Sequence, residues 1–171
     1  MAEILLGVGS NIERERYITA GLDALQGLLG EMALSPVYDS AAVGFDGQPF
    51  LNLALAASTE LSLRDLVARL RHIEYEHGRP ANATRFSARQ LDIDILAYDD
   101  LVGDFDGVLL PRDEILFNSF VLRPLADLVP ARRHPEDGRT YAELWQALGP
   151  GMSPLKRVSF SWRGREISTA A

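Results

Sequence analysis

Cysteine is absent from the 171 residues, so neither a disulfide nor a thiolate-ligated metal supports this fold. That usage suits a reducing compartment. No run approaches the roughly 20 apolar residues of a membrane span. The opening Met1-Ala2-Glu3-Ile4-Leu5-Leu6-Gly7 lacks a basic leader, and its apolar stretch is too short for export. A cytoplasmic location with no membrane partner is the expectation. Positive charge is scarce as well: 17 Lys and Arg stand against 24 Asp and Glu, a net charge of −7. A general nucleic-acid binder needs a basic face to release phosphate counterions, which argues against that class. A single nucleotide, held by a few local arginines and a metal, remains compatible with an acidic chain.

What is present is ordinary for a globular protein, with 47% hydrophobic and 24% charged residues. The length suits one α/β domain with a real core, and neither a repeat nor a linker divides it. One domain over residues 1–165 is expected, with 166–171 as a disordered tail, in a monomer or small homo-oligomer.

Along the chain, residues 3–8 read as a strand that ends at Gly7-Val8-Gly9-Ser10-Asn11. Ile12, Ile18, Leu22, Leu25 and Leu29 then recur at helical spacing up to Gly30. Residues 32–38 predict a second strand, 43–49 a loop and 50–59 a third strand with Leu51, Leu53 and Leu55 on one face. Ser62 is a suitable cap for a helix over 63–77, which Gly78 stops. Residues 79–88 are polar and read as a loop, and 91–98 as a strand. After turns over 99–107 come a short strand near 108–110 and helices over about 119–128 and 141–148. Residues 154–162 suggest an edge strand. The order βαββαβ is that of a ferredoxin-like α+β sandwich, here with added C-terminal helices.

Asp92 and Asp94 are the sharpest chemical feature. On a strand, residues i and i+2 share a face, so both carboxylates converge while Leu91, Ile93 and Ile95 enter the core. Two acids held so close repel unless a cation sits between them, and Mg²⁺ joins carboxylate to phosphate oxygens. The alternative is a solvated strand face. Arg69, Arg71, Arg79, Arg85 and Arg89 crowd the region just before the pair, and guanidinium forks match phosphate oxygens. Arg79 also suits the end of its helix, where a cation is favourable in any case. Alternation points Arg89 away from Asp92 unless the strand begins after it or carries a bulge. Glu74 falls on or beside the apolar face of its helix, either at the core edge or aimed into a cleft. Asn52 faces away from Leu51 and Leu53, and its amide has the paired donor and acceptor that read a heterocycle. Phe50, Phe86 and Phe120 are core residues or stacking platforms.

With these residues laid out, the chain resembles the 6-hydroxymethyl-7,8-dihydropterin pyrophosphokinase family. The resemblance runs through Gly9-Ser10-Asn11, Ser35-Pro36-Val37-Tyr38, Gln48-Pro49-Phe50-Leu51-Asn52, Ile73-Glu74 and Gly78-Arg79. It continues through Arg89-Gln90-Leu91-Asp92-Ile93-Asp94-Ile95, Leu110-Pro111 and Phe120-Val121-Leu122-Arg123-Pro124-Leu125. It implies a ferredoxin-like core and transfer of the pyrophosphoryl group of ATP to the pterin hydroxymethyl oxygen, with release of AMP, in folate biosynthesis. It implies that Asp92 and Asp94 hold Mg²⁺, as two ions, and that Glu74, Arg79 and Arg89 match ATP-side positions. Arg79, Arg85 and Arg89 join the aspartates as catalytic candidates. Asn52, Phe120 and Phe50 match the pterin pocket, with Ser40, Val43 and Gly44 on its wall. The departures are specific. Where the family often has Arg-Trp-Gly-Pro-Arg, this chain has Arg85-Phe86-Ser87-Ala88-Arg89, and a further loop arginine is Ala81. The family's Pro-His is Pro111-Arg112, and the arginine ahead of its Phe-Val-Leu is Asn118, which makes Arg112 a candidate replacement cation on the ATP side. The departures leave open a divergent Mg²⁺-dependent pyrophosphoryl or nucleotidyl transferase, or a non-catalytic pterin- or nucleotide-binding module.

Overall fold

A computed structural model describes residues 1–40, 48–78 and 90–171. The chain forms a mixed α/β fold around one antiparallel sheet. Its main elements are β1 (Ala2–Ser10), α1 (Arg14–Leu29), β2 (Ala33–Leu34), β3 (Val37–Ser40), β4 (Phe50–Thr59), α2 (Leu63–Glu76) and β5 (Asp92–Tyr98). The second half adds β6 (Gly103–Phe105), β7 (Val108–Leu110), α3 (Ser119–Leu128), α4 (Tyr141–Leu148), β8 (Lys156–Val158), β9 (Phe160–Trp162) and β10 (Arg165–Ser168). The six-stranded sheet runs β5-β1-β4-β3-β8, with β2 also on β4. Each recorded pairing in it is antiparallel.

Alternation along the two central strands builds a core on each face. Ile4, Leu6 and Val8 of β1 join Leu53 and Leu55 of β4 under α1 and α2, where Ile18, Leu22, Leu66 and Leu70 are buried. Leu5, Ala54 and Leu96 face the other way, against Leu122 and Leu125 of α3 and Tyr141 and Leu144 of α4. Each fully buried Leu or Ile contributes about 1.5–3 kcal/mol relative to exposure. Close approach of α1 to the sheet depends on Gly21: a Cβ there would lie 2.7 Å from Leu91 Cδ1, just ahead of β5. Ser62 caps α2 as expected, accepting the Asp65 N–H at 3.1 Å.

Three expectations are corrected. The strand read over 32–38 is two strands, because Pro36 has no N–H for the ladder and buried Ser35 turns its Oγ to accept the Ala54 N–H at 2.8 Å. The edge strand read over 154–162 is also divided: β8 joins the main sheet, whereas β9 pairs with β10. Residues 166–168, expected within a disordered tail, belong to β10, where Ser168 is buried against β3 and β8. A short polar run conceals this, because its order comes from the hairpin with β9 and from the Ser168 side chain, which bonds to backbone groups of β3 and β8. Among the described residues no helix is long and apolar enough to cross a membrane.

Candidate active site

The edge strand β5 carries the aspartate pair. Asp92 and Asp94 point to one face, both half-buried, while Ile93 and Ile95 enter the core. Across from them on β1 stand Gly9 and Gly7, which place no side chain of their own opposite the carboxylates. The outer edge of β5 has backbone groups that the sheet does not satisfy. One is the Ile93 N–H, which donates to Glu74 Oε2 at 2.8 Å. Glu74 is 1% exposed and stands on the buried side of α2, with Arg71 3.8 Å from its other oxygen. The two sequence readings of Glu74 thus meet. It is buried at the core edge, and it lines a cavity together with Asp92 and Asp94.

That cavity has a volume of about 460 Å³ and lies along β5, between α2 and the segment from β7 to Asp113. Leu70 and Val67 form an apolar wall on one side, Val108 and Leu109 on the other, and Arg112 closes the acidic end. The size is that of a small-molecule site, and its polar end is built for charge. The Arg112 N–H donates to Leu96 O at 2.9 Å, which docks the segment after β7 onto β5. Its guanidinium Nη2 stands 2.6 Å from Glu114 Oε1 and 3.6 Å from Asp94 Oδ1. Burial works to lower the Arg112 pKa. The charges of Asp94, Glu114 and Asp92 outweigh it and hold that pKa above the usual guanidinium value.

Glu114 is the site residue that sequence reasoning missed. It is 7% exposed, in a 3₁₀ turn over Asp113–Leu116. One oxygen accepts from Arg112 Nε at 2.9 Å, the other from Asn118 Nδ2 at 2.7 Å. The position where the family has arginine and the position where this chain has one are therefore joined through a single buried carboxylate. The spacing Arg112, Glu114, Asn118 was a possible signal, but it becomes legible only once a turn is known to separate the first two.

The same face of the sheet continues away from the aspartates. Asn52 on β4 stands opposite Gly9, and its Nδ2 donates to Ser40 Oγ at 3.0 Å on β3. Phe50 pairs with Ser40 in the ladder. Phe120 lies in the first turn of α3, packed against the second core cluster under the helix that covers this face. A cluster beside them also escaped the sequence reading. The Tyr38 hydroxyl donates to Asp127, Arg123 Nε donates to Tyr38 Oη at 3.1 Å, and the Arg123 guanidinium lies over the Trp145 ring at 5.2 Å. These contacts fasten α3 to β3. Burial, then the hydrogen bond to Asp127, raises the Tyr38 pKa. Val43, Gly44, Arg79, Arg85 and Arg89, with Ala81, Phe86, Ser87 and Ala88, lie outside the described residues.

Among the described residues no group of three or more Asp, Glu, His or Cys side chains is arranged to hold a metal. Asp92 and Asp94 supply a carboxylate pair. That donor set fits Mg²⁺, which takes one or two carboxylates and completes its octahedron with phosphate oxygens and water.

A family profile described as 7,8-dihydro-6-hydroxymethylpterin-pyrophosphokinase matches residues 5–130. A 2-amino-4-hydroxy-6-hydroxymethyldihydropteridine pyrophosphokinase of Pseudomonas aeruginosa is 38% identical over 148 residues, covering 84% of this chain and 90% of that protein. The enzyme of the same name from Aquifex aeolicus is 35% identical over 137 residues, 79% of this chain and 85% of its own length. Among solved structures, the Plasmodium falciparum HPPK-DHPS wild type superposes with a TM-score of 0.74 at 12% identity, covering 98% of this chain and 50% of that one. At that identity the likeness is one of fold. The chain spans about half the length of such solved relatives.

Proposed function

The chain belongs to the 7,8-dihydro-6-hydroxymethylpterin-pyrophosphokinase family, and from this we infer that it transfers the β,γ-pyrophosphoryl group of ATP to the hydroxymethyl oxygen of 6-hydroxymethyl-7,8-dihydropterin, releasing AMP. The observation that carries the reading is the shared cavity of Asp92, Asp94, Glu74 and Arg112, whose acidic end sits between apolar walls. Asp92 and Asp94 would hold Mg²⁺, as two ions, and the metal would supply neutralisation of phosphate charge and polarisation of the reacting oxygens. The pterin hydroxyl oxygen bonds to the β-phosphorus and gives up its proton to solvent, while the bond from that phosphorus to the α-bridging oxygen breaks and AMP keeps the bridging oxygen.

This chain's residues do the holding. Glu74 fixes the β5 backbone between the two aspartates through the Ile93 N–H. The apolar walls at Leu70 and Val108 suit the flat base of the nucleotide and keep water from it. Arg112 offers a cation to the phosphates, joined in this role by Arg79, Arg85 and Arg89. Asn52 reads the pterin edge, and its bond to Ser40 sets which end of the amide faces the ligand. Phe50 and Phe120 supply apolar contact. Catalysis is positioning and charge neutralisation rather than covalent chemistry.

The strand order β5-β1-β4-β3, with α1 after β1 and α2 after β4, supports a ferredoxin-like core. A cytoplasmic enzyme, acting as a monomer or small homo-oligomer, is consistent with the composition.

The test is incubation of the purified chain with ATP, Mg²⁺ and hydroxymethyldihydropterin, with AMP measured. Wild type releases AMP; Asp92→Asn and Asp94→Asn do not. A wild type that makes no AMP overturns the activity, and variants that still make it overturn the site.

A further inference from the structure

Arg112 is gripped unequally by two acids. Its contacts to Glu114 Oε1 are 2.6 and 2.9 Å, from Nη2 and Nε. Its nearest approach to Asp94 Oδ1 is 3.6 Å, outside hydrogen-bond range. Glu114 is itself buried and steadied by the Asn118 amide at 2.7 Å. The Glu114 side is therefore a geometrically defined, charge-assisted anchor, and the Asp94 side a longer Coulombic contact. Asp94 and Arg112 are comparably exposed, at 30% and 28% of their side-chain surface, so solvent screens their attraction only in part.

We propose that Arg112, anchored by Glu114, is a placeholder cation for Asp94: it neutralises the carboxylate before a divalent ion arrives, gives way to that ion, and stays beside the cavity to meet the phosphates. The proposal rests on the reading of Asp94 as a metal ligand. A guanidinium within a few ångströms of Asp94 opposes a dication there, so metal and Arg112 compete for one carboxylate. The anchor keeps the competition mild. Glu114 holds the guanidinium back from a full bidentate pair with Asp94, which would close the site to metal. Once the ion has taken Asp94, the same guanidinium has donors for the phosphates that the metal brings in.

The competition has a sign that a structural role does not share. Mn²⁺ alone, without nucleotide, is titrated into the full chain and followed by electron paramagnetic resonance. R112M, uncharged and of similar length, binds Mn²⁺ more tightly than wild type, by on the order of fivefold, the equivalent of about 1 kcal/mol for a part-exposed pair. R112K keeps the charge and stays near wild type. With Mg²⁺ present, R112M binds a non-hydrolysable ATP analogue more weakly. E114Q, which leaves Arg112 only a neutral acceptor and lets it close on Asp94, binds Mn²⁺ more weakly, and this loss disappears in the R112M/E114Q double variant.

Unchanged or weaker Mn²⁺ binding in R112M, with an unchanged melting temperature, overturns the placeholder role. Should R112M unfold, R112Q carries the same expectation. An equal loss from E114Q in both backgrounds overturns the anchoring role. Failure of the underlying metal reading looks different: D94N then binds Mn²⁺ as wild type does.

Discussion

The Glu74 carboxylate accepts the Ile93 N–H at 2.8 Å, between the two aspartates of the candidate metal pair. One side chain thereby satisfies an edge-strand donor and fixes the pitch of the backbone that carries Asp92 and Asp94. Removing it strands a buried N–H, at a cost of about 1–3 kcal/mol. Glu74→Ala is expected to lower the unfolding free energy measured in urea by that amount and to reduce AMP release. Glu74→Gln retains an acceptor and is expected to lose less of both.

Gly9 and Asn52 face each other across β1 and β4, and a Cβ on Gly9 would sit 2.6 Å from Asn52 Oδ1. Asn52 has little freedom to retreat, since Ser40 holds its amide nitrogen. Gly9→Ala is expected to displace the amide from the position in which we propose it reads the pterin. Calorimetry then gives pterin affinity lower by about tenfold, or about 1.4 kcal/mol, while the ATP analogue binds as before. Equal loss of both ligands would instead indicate distortion of the sheet and not of Asn52.

What the sequence revealed, and what it concealed, follows from the range of the forces involved. Strand alternation placed Asp92 and Asp94 on one face because the pleat repeats every two residues, and the Ser62 cap is a contact three residues long. Both are local and survive folding unchanged. Glu74 was readable as a carboxylate on a buried helix face, but its partner Ile93 was not, since the bond forms between elements. The Tyr38–Asp127–Arg123 cluster stayed hidden for the same reason, whereas Glu114 has its partners only two and four residues away and was concealed by the irregular 3₁₀ turn that brings them together. The break at Ser35-Pro36 was present in the residues themselves, as a proline without an N–H. Its consequence depended on Ala54, which lies on another strand.

His134, which does not line the candidate cavity, makes the stability of the fold depend on pH. It is 2% exposed, and its Nδ1 accepts the backbone N–H groups of Glu136 and Asp137 at 3.2 and 2.9 Å, a role open only to the neutral ring. Burial lowers its pKa below the ordinary 6.5, against the opposing pull of Asp137 and Glu136. The unfolded chain therefore takes up this proton more readily than the folded one. Stability from this residue is full above about 6.5 and falls as the pH drops below it toward the folded value. Urea midpoints are expected to decline over that window in wild type and to flatten in His134→Gln. Asp137 acts lower down. Its hydrogen bond from Arg139 holds its pKa at about 2, so its share is lost only below its ordinary 3.8.

Ser168 tests whether the last residues belong to the fold. Its Oγ accepts the Val37 N–H at 2.9 Å and donates to Val158 O at 2.6 Å, joining β10 to the two strands at the β3 edge of the sheet. Nearby, Trp162 Nε1 donates to Asp23 Oδ1 at 3.0 Å and pins β9 to α1. Ser168→Ala leaves the Val37 N–H buried without this acceptor and is expected to lower the unfolding free energy measured in urea by about 1–3 kcal/mol. Deletion of Thr169–Ala171, which keeps Ser168, is expected to change stability far less, and deletion from Arg165 onward to cost at least as much as Ser168→Ala. β3 also carries Tyr38 and Ser40, so a loosened edge should weaken the proposed pterin binding before it affects the candidate metal pair on β5, at the opposite edge of the sheet. If Ser168→Ala and the longer deletion both leave the midpoint unchanged, β10 contributes nothing to the domain, and the boundary falls where a disordered tail would put it.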